Sequence, residues 1–424
     1  MSTTNIEPTR TDTPAPATAD VTLPPAPDVA ADGSKEAFRL GGLKIGYDTL
    51  FTTVPIYLAL ILLWLFFDRV TNGDFISSRN ISDMFQEYSY KPVLALGVVF
   101  VLLLGEIDLS LGYLTLLSIT VAAVLLQHNW PSGAAILGAI LACTALGLAQ
   151  GFLIAWVRMP AFVVTLGGFL IFEGGSLFIL AGSSIPISDA SVQNIGSYYL
   201  PSWLGLAGAL MALALYVLYR LNDRRVRARA SLSNSSLAQF AVATVLMAAA
   251  LIGVALFLNN YQGVPLPLVI LLACAVVLWF MARRTRFGRH IYAVGGNLEA
   301  ARRAGIDTTA IRWIVFGISG LMAGVAGIML AGYGHTASPN AAGPDLLLDV
   351  ISIAVIGGVS LTGGRGSVWA VLLGGLVIAS VDSGLNLLGT IDPSTVYIIK
   401  GGILLLAILV DVVGKRRGGL AVRR

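Results

Sequence analysis

Charge is what this chain of 424 residues has least of: Asp, Glu, Lys and Arg make up 12% of it, against 56% hydrophobic residues and a mean hydropathy of +0.82. An average soluble domain carries roughly 25% charged residues, because its surface must meet water. Half that fraction cannot cover a water-soluble globule of this size, so the solvent that fits is lipid. Cysteine is nearly absent, and the two present, Cys143 and Cys274, both lie within apolar stretches. They provide no disulfide framework and no metal-ligand spacing, and read as small packing residues. The three histidines, His128, His290 and His335, are scattered and make no metal site. No Gly-x-x-x-x-Gly-Lys-Ser/Thr sequence occurs, so the phosphate-cradling loop of an ATPase is missing. No nucleophile–base pair or cofactor loop stands out either.

Glycine and long apolar runs are abundant. The 47 glycines suit helices that pack closely in lipid. A hydrocarbon core about 30 Å thick needs ~20 helical residues per crossing. Candidate segments fall at 50–67, 92–107, 112–127, 134–157, 161–181, 202–220, 238–258, 264–282, 312–333, 346–359, 367–388 and 394–413. Those at 92–107, 112–127 and 346–359 are short enough to be broken or re-entrant. The expected fold is therefore an all-α, polytopic transmembrane helical bundle of about 10–12 spans.

The net charge of +4 does not indicate nucleic acid, because the basic residues sit in short clusters between apolar runs. Arg39 and Lys44, Arg158, the series Arg220 to Arg229, the series Arg283 to Arg312, and Lys415 to Arg417 all fall on one side if the spans alternate. The opposite loops, 183–202 and 259–264, carry no Lys or Arg. Basic residues mark the cytoplasmic side, which predicts both termini there. Residues 1–38, rich in Pro, Thr, Ala and Asp, read as a disordered cytoplasmic tail. Residues 39–418 form the transmembrane domain, with a cytoplasmic loop at 283–311, and 419–424 are a basic tail. The segment 68–91 mixes charges of both signs and reads as an outside loop, either solvated or a short surface structure that meets a partner.

Three segments carry chemical signals. In Gly105-Glu106-Ile107-Asp108-Leu109-Ser110-Leu111-Gly112 two carboxylates lie between apolar runs. An ionisable group at membrane depth usually faces a cavity or a partner; the alternatives are a break that reaches the interface, or Asp108 as a helix cap. The run Gly357 to Gly366 has a similar pattern, each following an apolar half-helix, as in an internal repeat or by chance in a chain rich in Gly and Leu. In the segment Thr285 to Ile306, Asn297 is a good N-cap and Glu299 suits the positive end of the helix that comes next. Ala300, Ala301, Arg302 and Arg303 favour helix and Gly305 can end it, which predicts a helix of about two turns at the membrane face.

That segment resembles the coupling loop of bacterial ATP-binding-cassette sugar-importer permeases of the ribose, xylose and galactose type. The resemblance continues through Gly334-His335-Thr336-Ala337-Ser338-Pro339-Asn340, Leu348-Asp349-Val350-Ile351, the run Gly357 to Gly366 and Gly384-Leu385-Asn386-Leu387-Leu388-Gly389. Pro160-Ala161-Phe162-Val163-Val164-Thr165-Leu166-Gly167 is similar too, and Glu106 stands where the family's Gly-Gly-Ile-Asp-Leu-Ser signature has glycine. Roughly residues 45–415 are covered, and the extra length near 220–258 looks closest to the xylose-type members.

The resemblance implies a homodimeric channel in the bacterial plasma membrane, a cytoplasmic ATPase holding ATP-Mg beneath each copy, and an extracytoplasmic sugar-binding protein. The chain itself would bind no cofactor. Coupling to the ATPase would fall to Gly296, Asn297, Glu299, Ala300, Ala301, Arg302 and Gly305. Polar residues in or beside the spans nominate a substrate path of Glu106, Asp108, Ser110, Gln150, Glu173, Asn340 and Asn386, although helix-to-helix hydrogen bonds also account for Gln150 and Asn386. Phe162, Phe169, Phe172 and Phe178 read as lipid-facing or packing residues. The competing reading is a stand-alone ion-coupled transporter, with Glu106, Asp108, Glu173 and Asp382 as proton or cation sites.

Overall fold

The computed structural model describes residues 38–40, 43–45, 54–230, 236–389 and parts of 392–409. Of the tail expected at 1–38, residues 1–37 lie outside the described residues, as do the basic tail at 419–424 and much of the last candidate span, and Phe38 begins a strand. The chain divides into two units, Met1–Phe51 and Thr52–Arg424. In the first, β1 (Phe38–Leu40) pairs antiparallel with β2 (Leu43–Ile45), Arg39 opposite Lys44.

The second unit is a helical bundle. Its elements in order are α1 (Val54–Val70), α2 (Ser78–Tyr88), α3 (Tyr90–Leu103), α4 (Leu111–Gln127), α5 (Ser132–Ala155), α6 (Ala161–Leu180) and α7 (Ala190–Ser197). After these come α8 (Ser202–Arg229), α9 (Leu237–Asn259), α10 (Leu266–Arg284), α11 (Arg286–Gly296), α12 (Leu298–Arg303), α13 (Thr308–Gly334), α14 (Pro344–Ile356) and α15 (Ala370–Leu388), then helical residues at 394–403. Seven described helices, α5, α6, α8, α9, α10, α13 and α15, are long and apolar enough to cross a membrane. α3 has 14 residues, which rise only about 21 Å. It is short because the chain breaks at 104–110, before α4 begins.

α13 is the axis of the bundle. Of its most apolar stretch 78% is buried inside the protein, against 6% for α8. It packs on α3, α4, α5 and α7. Small residues let the backbones touch: a Cβ added at Gly147 would overlap the Phe316 carbonyl oxygen, and one at Gly320 would overlap that of Cys143. Lipid supplies no hydrophobic drive between helices, so close contact and hydrogen bonds must hold them. The Trp313 indole N–H donates to Leu148 O at 3.0 Å, and Ser118 Oγ donates to Gly324 O at 2.9 Å.

The two ends of the bundle differ. One carries the arginine-rich elements α11 and α12, the break at 104–110 and the loop 357–366. The other is tied by two short antiparallel pairings, β3 (Ile185–Pro186) with β6 (Thr336–Ala337) and β4 (Tyr199–Leu200) with β5 (Val264–Pro265). α2 packs there against α7, α9, α10 and β5. The segment 68–91, read from sequence as a solvated loop or short surface structure, is thus largely helix, with Phe75, Ile81, Met84 and Tyr88 buried. Tyr199 Oη lies 3.0 Å from Asp83 and 2.7 Å from Gln86 of α2.

Candidate functional site

The arginine-rich end is built by local capping. Thr285 Oγ1 accepts from the Gly288 N–H at 3.2 Å and starts α11. Asn297 Oδ1 accepts from the Ala300 N–H at 2.9 Å and starts α12, and Gly305 lies just past its end at φ +78°. The cap and stop expected from sequence are those observed. Within α12, Ala301 is buried and Leu298, Glu299, Ala300, Arg302 and Arg303 are exposed. Glu299 pairs with Arg303 at 2.5 Å, and Arg302 Nε donates to Thr308 Oγ1 at 3.1 Å. The result is a short exposed helix, clamped at its base to the start of α13.

Three stretches of backbone meet behind this helix. Gly364 N donates to Leu103 O at 2.9 Å, joining the loop 357–366 to the end of α3. Gly295, at the end of α11, lies against both: a Cβ there would overlap Leu103 O and sit 2.7 Å from Gly364 N. Tyr292 Oη donates to Gly366 O at 2.9 Å. A recess of about 390 Å³ opens at the junction, lined by Gly295, Gly296, Ser360, Thr362, Gly363, Gly364 and Arg365. The two glycine runs singled out in the sequence also meet in space, where a Cβ on Gly363 would sit 2.8 Å from Gly105 N.

The path residues named from sequence separate into five places. Glu106 is at the arginine-rich end, where Arg312 Nε donates to its Oε1 at 2.5 Å, while Oε2 is buried and unpartnered. Glu106 thus faces a charged partner, Arg312, in a largely buried position. Asp108, Ser110 and Gln150 come together with Ser319 in the bundle interior. Asp108 Oδ1 accepts from the Ser110 N–H at 3.0 Å and its hydroxyl at 2.7 Å, and Oδ2 accepts from Ser319 Oγ at 3.3 Å. Ser110 Oγ also lies 3.2 Å from Gln150 Oε1, while Nε2 has no partner. One hydroxyl hydrogen cannot serve two acceptors; with the Gln150 amide turned over, its NH2 donates to Ser110.

Glu173 accepts from Tyr113 Oη at 2.8 Å, and the Tyr113 ring meets Phe169 edge-on at 4.6 Å. Asn386 Nδ2 donates to Tyr88 Oη at 2.7 Å, and Asn340 is exposed beyond β6. Of the phenylalanines, Phe162 and Phe178 are exposed, Phe172 is buried and Phe169 packs on Tyr113.

Sequence reasoning missed the largest buried charge cluster. Lys91 Nζ donates to Asp349 Oδ2 at 2.7 Å and Asp382 Oδ2 at 2.6 Å. Lys400 Nζ reaches the same Asp349 oxygen at 3.0 Å and Asp382 Oδ1 at 2.6 Å. Two ammoniums and two carboxylates balance, and the quartet ties α3, α14, α15 and the helical residues at 394–403 together. Counting signs would have pointed to it: Asp349, Asp382 and Lys400 are charges within three apolar runs and Lys91 stands at the start of a fourth, and such charges must find one another in lipid. Among the described residues no group of His, Cys, Asp or Glu could hold a metal ion.

The sequence pattern of the family described as branched-chain amino acid transport system / permease component matches residues 88–408. The xylose transport system permease protein of Haemophilus influenzae is 36% identical over 361 residues, covering 85% of this chain and 96% of its own length. That of Escherichia coli K12 is 37% identical over 360 residues, 85% and 91%. The ribose import permease protein of Escherichia coli K12 is 30% identical over 340 residues, 80% and 87%. No solved structure matches. With three quarters of its length inside the family pattern and full-length relatives above 30% identity, this multi-pass membrane protein belongs to the family of transport-system permease components.

Proposed function

We propose that this chain is the membrane-spanning subunit of an ATP-binding-cassette importer that carries a pentose, xylose in the first instance, into the cytoplasm. The observation that carries the substrate class is the identity of 36–37% to two xylose permeases over nearly their whole length, against 30% to a ribose permease. The exposed α12 and the glycine junction behind it support the energy source. In this reading α12 seats in a groove of a cytoplasmic ATPase, which holds ATP-Mg and drives the transport cycle, and the chain has no ATPase site of its own. Gly295 and Gly364 pass the displacement to Leu103 at the end of α3. Both termini are then cytoplasmic, the bilayer is the bacterial plasma membrane, a second copy completes the channel, and a sugar-binding protein docks on the side of α2 and α7.

Within the same reading, Asp108, Ser110 and Gln150, together with Tyr113 and Glu173, offer the hydroxyl, amide and carboxylate partners that a neutral, hydroxyl-rich sugar needs. Glu106, held by Arg312, is a positioning residue for the break and not a sugar ligand. ATP hydrolysis by the reconstituted assembly, stimulated by a binding protein loaded with xylose, tests the proposal. Uptake by the lone chain driven by a proton or sodium gradient would contradict it and favour the ion-coupled alternative.

A further inference from the structure

The α8–α9 hairpin is the part of the molecule that neither the coupling elements nor the interior polar groups use. No residue of α8 is buried, and in α9 only Ala255 and Leu258 are, both near one end. α8 packs chiefly on α9 and makes little contact with the rest of the bundle. At the arginine-rich end this leaves a recess of about 300 Å³ between α8 and α10, lined by Tyr219, Asp223, Val226, Trp279, Phe280 and Arg284.

The recess has the layered chemistry of a phospholipid. Trp279, Phe280 and Val226 offer apolar walls, and Tyr219 and Trp279, with ring centroids 5.9 Å apart, form an aromatic edge. Such aromatics belong at headgroup depth. Arg284 closes the rim and donates to Tyr219 Oη. Asp223 is the one acid in the lining, and Arg227 neutralises it at 2.9 Å. On the side of α8 that meets α9 stand Arg220, whose guanidinium lies 5.8 Å from the Tyr216 ring and 5.9 Å from that of Phe240, and Arg224, 5.3 Å from Phe240, with Arg225 and Arg229 further along the helix. A cluster of roughly four to eight basic residues directly beside a membrane helix draws anionic headgroups.

We infer that the recess between α8 and α10 is a binding site for one anionic phospholipid, its phosphate on Arg284 in the positive field of the α8 arginines and its glycerol region against Trp279 and Phe280, and that this lipid seats the α8–α9 hairpin on the bundle. A gap between helices at headgroup depth is filled by lipid unless protein fills it, and net positive charge selects the anionic kind.

The test uses the intact chain in mild detergent, read by native mass spectrometry during titration with phosphatidylglycerol, phosphatidylcholine or inorganic phosphate. Phosphatidylglycerol should be retained in preference to phosphatidylcholine, and inorganic phosphate should not compete at matched concentration. Arg284→Gln should weaken phosphatidylglycerol retention about fivefold, and Arg220→Gln with it by a similar factor again. Arg284→Lys should keep most of the preference. Unchanged elution volume and thermal midpoint of the variants in phosphatidylcholine show that they are folded. Equal retention of the two lipids, an unaltered preference in the double variant, or phosphate binding as tight as the lipid would each overturn the site. So would a disulfide between two copies of the Phe280→Cys variant formed at the expense of bound lipid, since a second copy would then occupy the recess.

Discussion

Lys91 holds two aspartates on one ammonium, and Lys400 holds the same two from the other side. Replacing a buried ion cluster as a whole is often tolerated, whereas removing one member leaves an uncompensated charge in a dry place. Lys91→Met should therefore cost about 3–5 kcal/mol, seen as a lowered midpoint in denaturant or heat. Lys91→Met combined with Asp349→Asn, which restores charge balance, should recover much of it. A single variant as stable as the parent would show that the quartet is not formed in the membrane. At Gly295 the argument is steric. A Cβ overlapping Leu103 O cannot be accommodated without moving backbone, so Gly295→Ala should impair folding or coupling, whereas Gly296→Ala, with open space around it, should not. Proteolytic resistance and transport measured on both would separate them.

At the scale of the element, α12 and α2 were read with different success, for a physical reason. α12 is specified locally: Asn297 caps it, Gly305 ends it, and both act over a few residues of chain, so their types alone announce the helix. α2 carries comparable local marks, Ser77 accepting from Asn80 N at 3.2 Å and Ile81, Met84 and Tyr88 on one face. Its charged residues Arg79, Asp83 and Glu87 masked that pattern, and what decides its place is packing on distant α7, α9 and α10. The junction at Gly295 was illegible for the same reason, since its partners lie far apart in sequence. Besides α12, the helix positions, set by apolar length, could be anticipated, whereas Asp108, Ser110 and Gln150 were nominated as polar residues with no sign that they meet. Bulky substitution on α12, Glu299→Trp or Ala300→Trp, should uncouple ATP hydrolysis from transport while the chain still inserts. Normal transport would move the coupling contact elsewhere.

α2 also yields a pH dependence. Burial pushes the Glu87 carboxyl above the usual carboxylate range, with the Tyr333 and Tyr88 hydroxyls pulling the other way. A raised folded-state value means the native state binds the proton more tightly than the unfolded chain does. The corresponding stability is fully present below the ordinary value of about 4.3 and is lost as pH rises through the raised one. Thermal midpoints from about pH 4 upward should thus fall for the parent relative to Glu87→Gln. Parallel curves would show Glu87 to be solvated.

For the whole molecule, the division of labour comes from where polarity is allowed. α13 and its small residues make a dense axis that lipid cannot enter. The arginine-rich end presents a capped helix with a stiff backbone junction behind it, suited to receiving a push. The opposite end is tied by short strand pairs and by α2, suited to receiving a partner. In the proposed importer this body splits no ATP itself, and its energy comes through its exposed elements. The measurement that tests this most directly is ATP hydrolysis in lipid discs containing this chain, its ATPase and a binding protein loaded in turn with pentoses and hexoses. Stimulation by the xylose-loaded binding protein above the others, abolished by Ala300→Trp, is the predicted result. Hydrolysis indifferent to every loaded sugar, with each partner shown to be active by itself, would contradict the account.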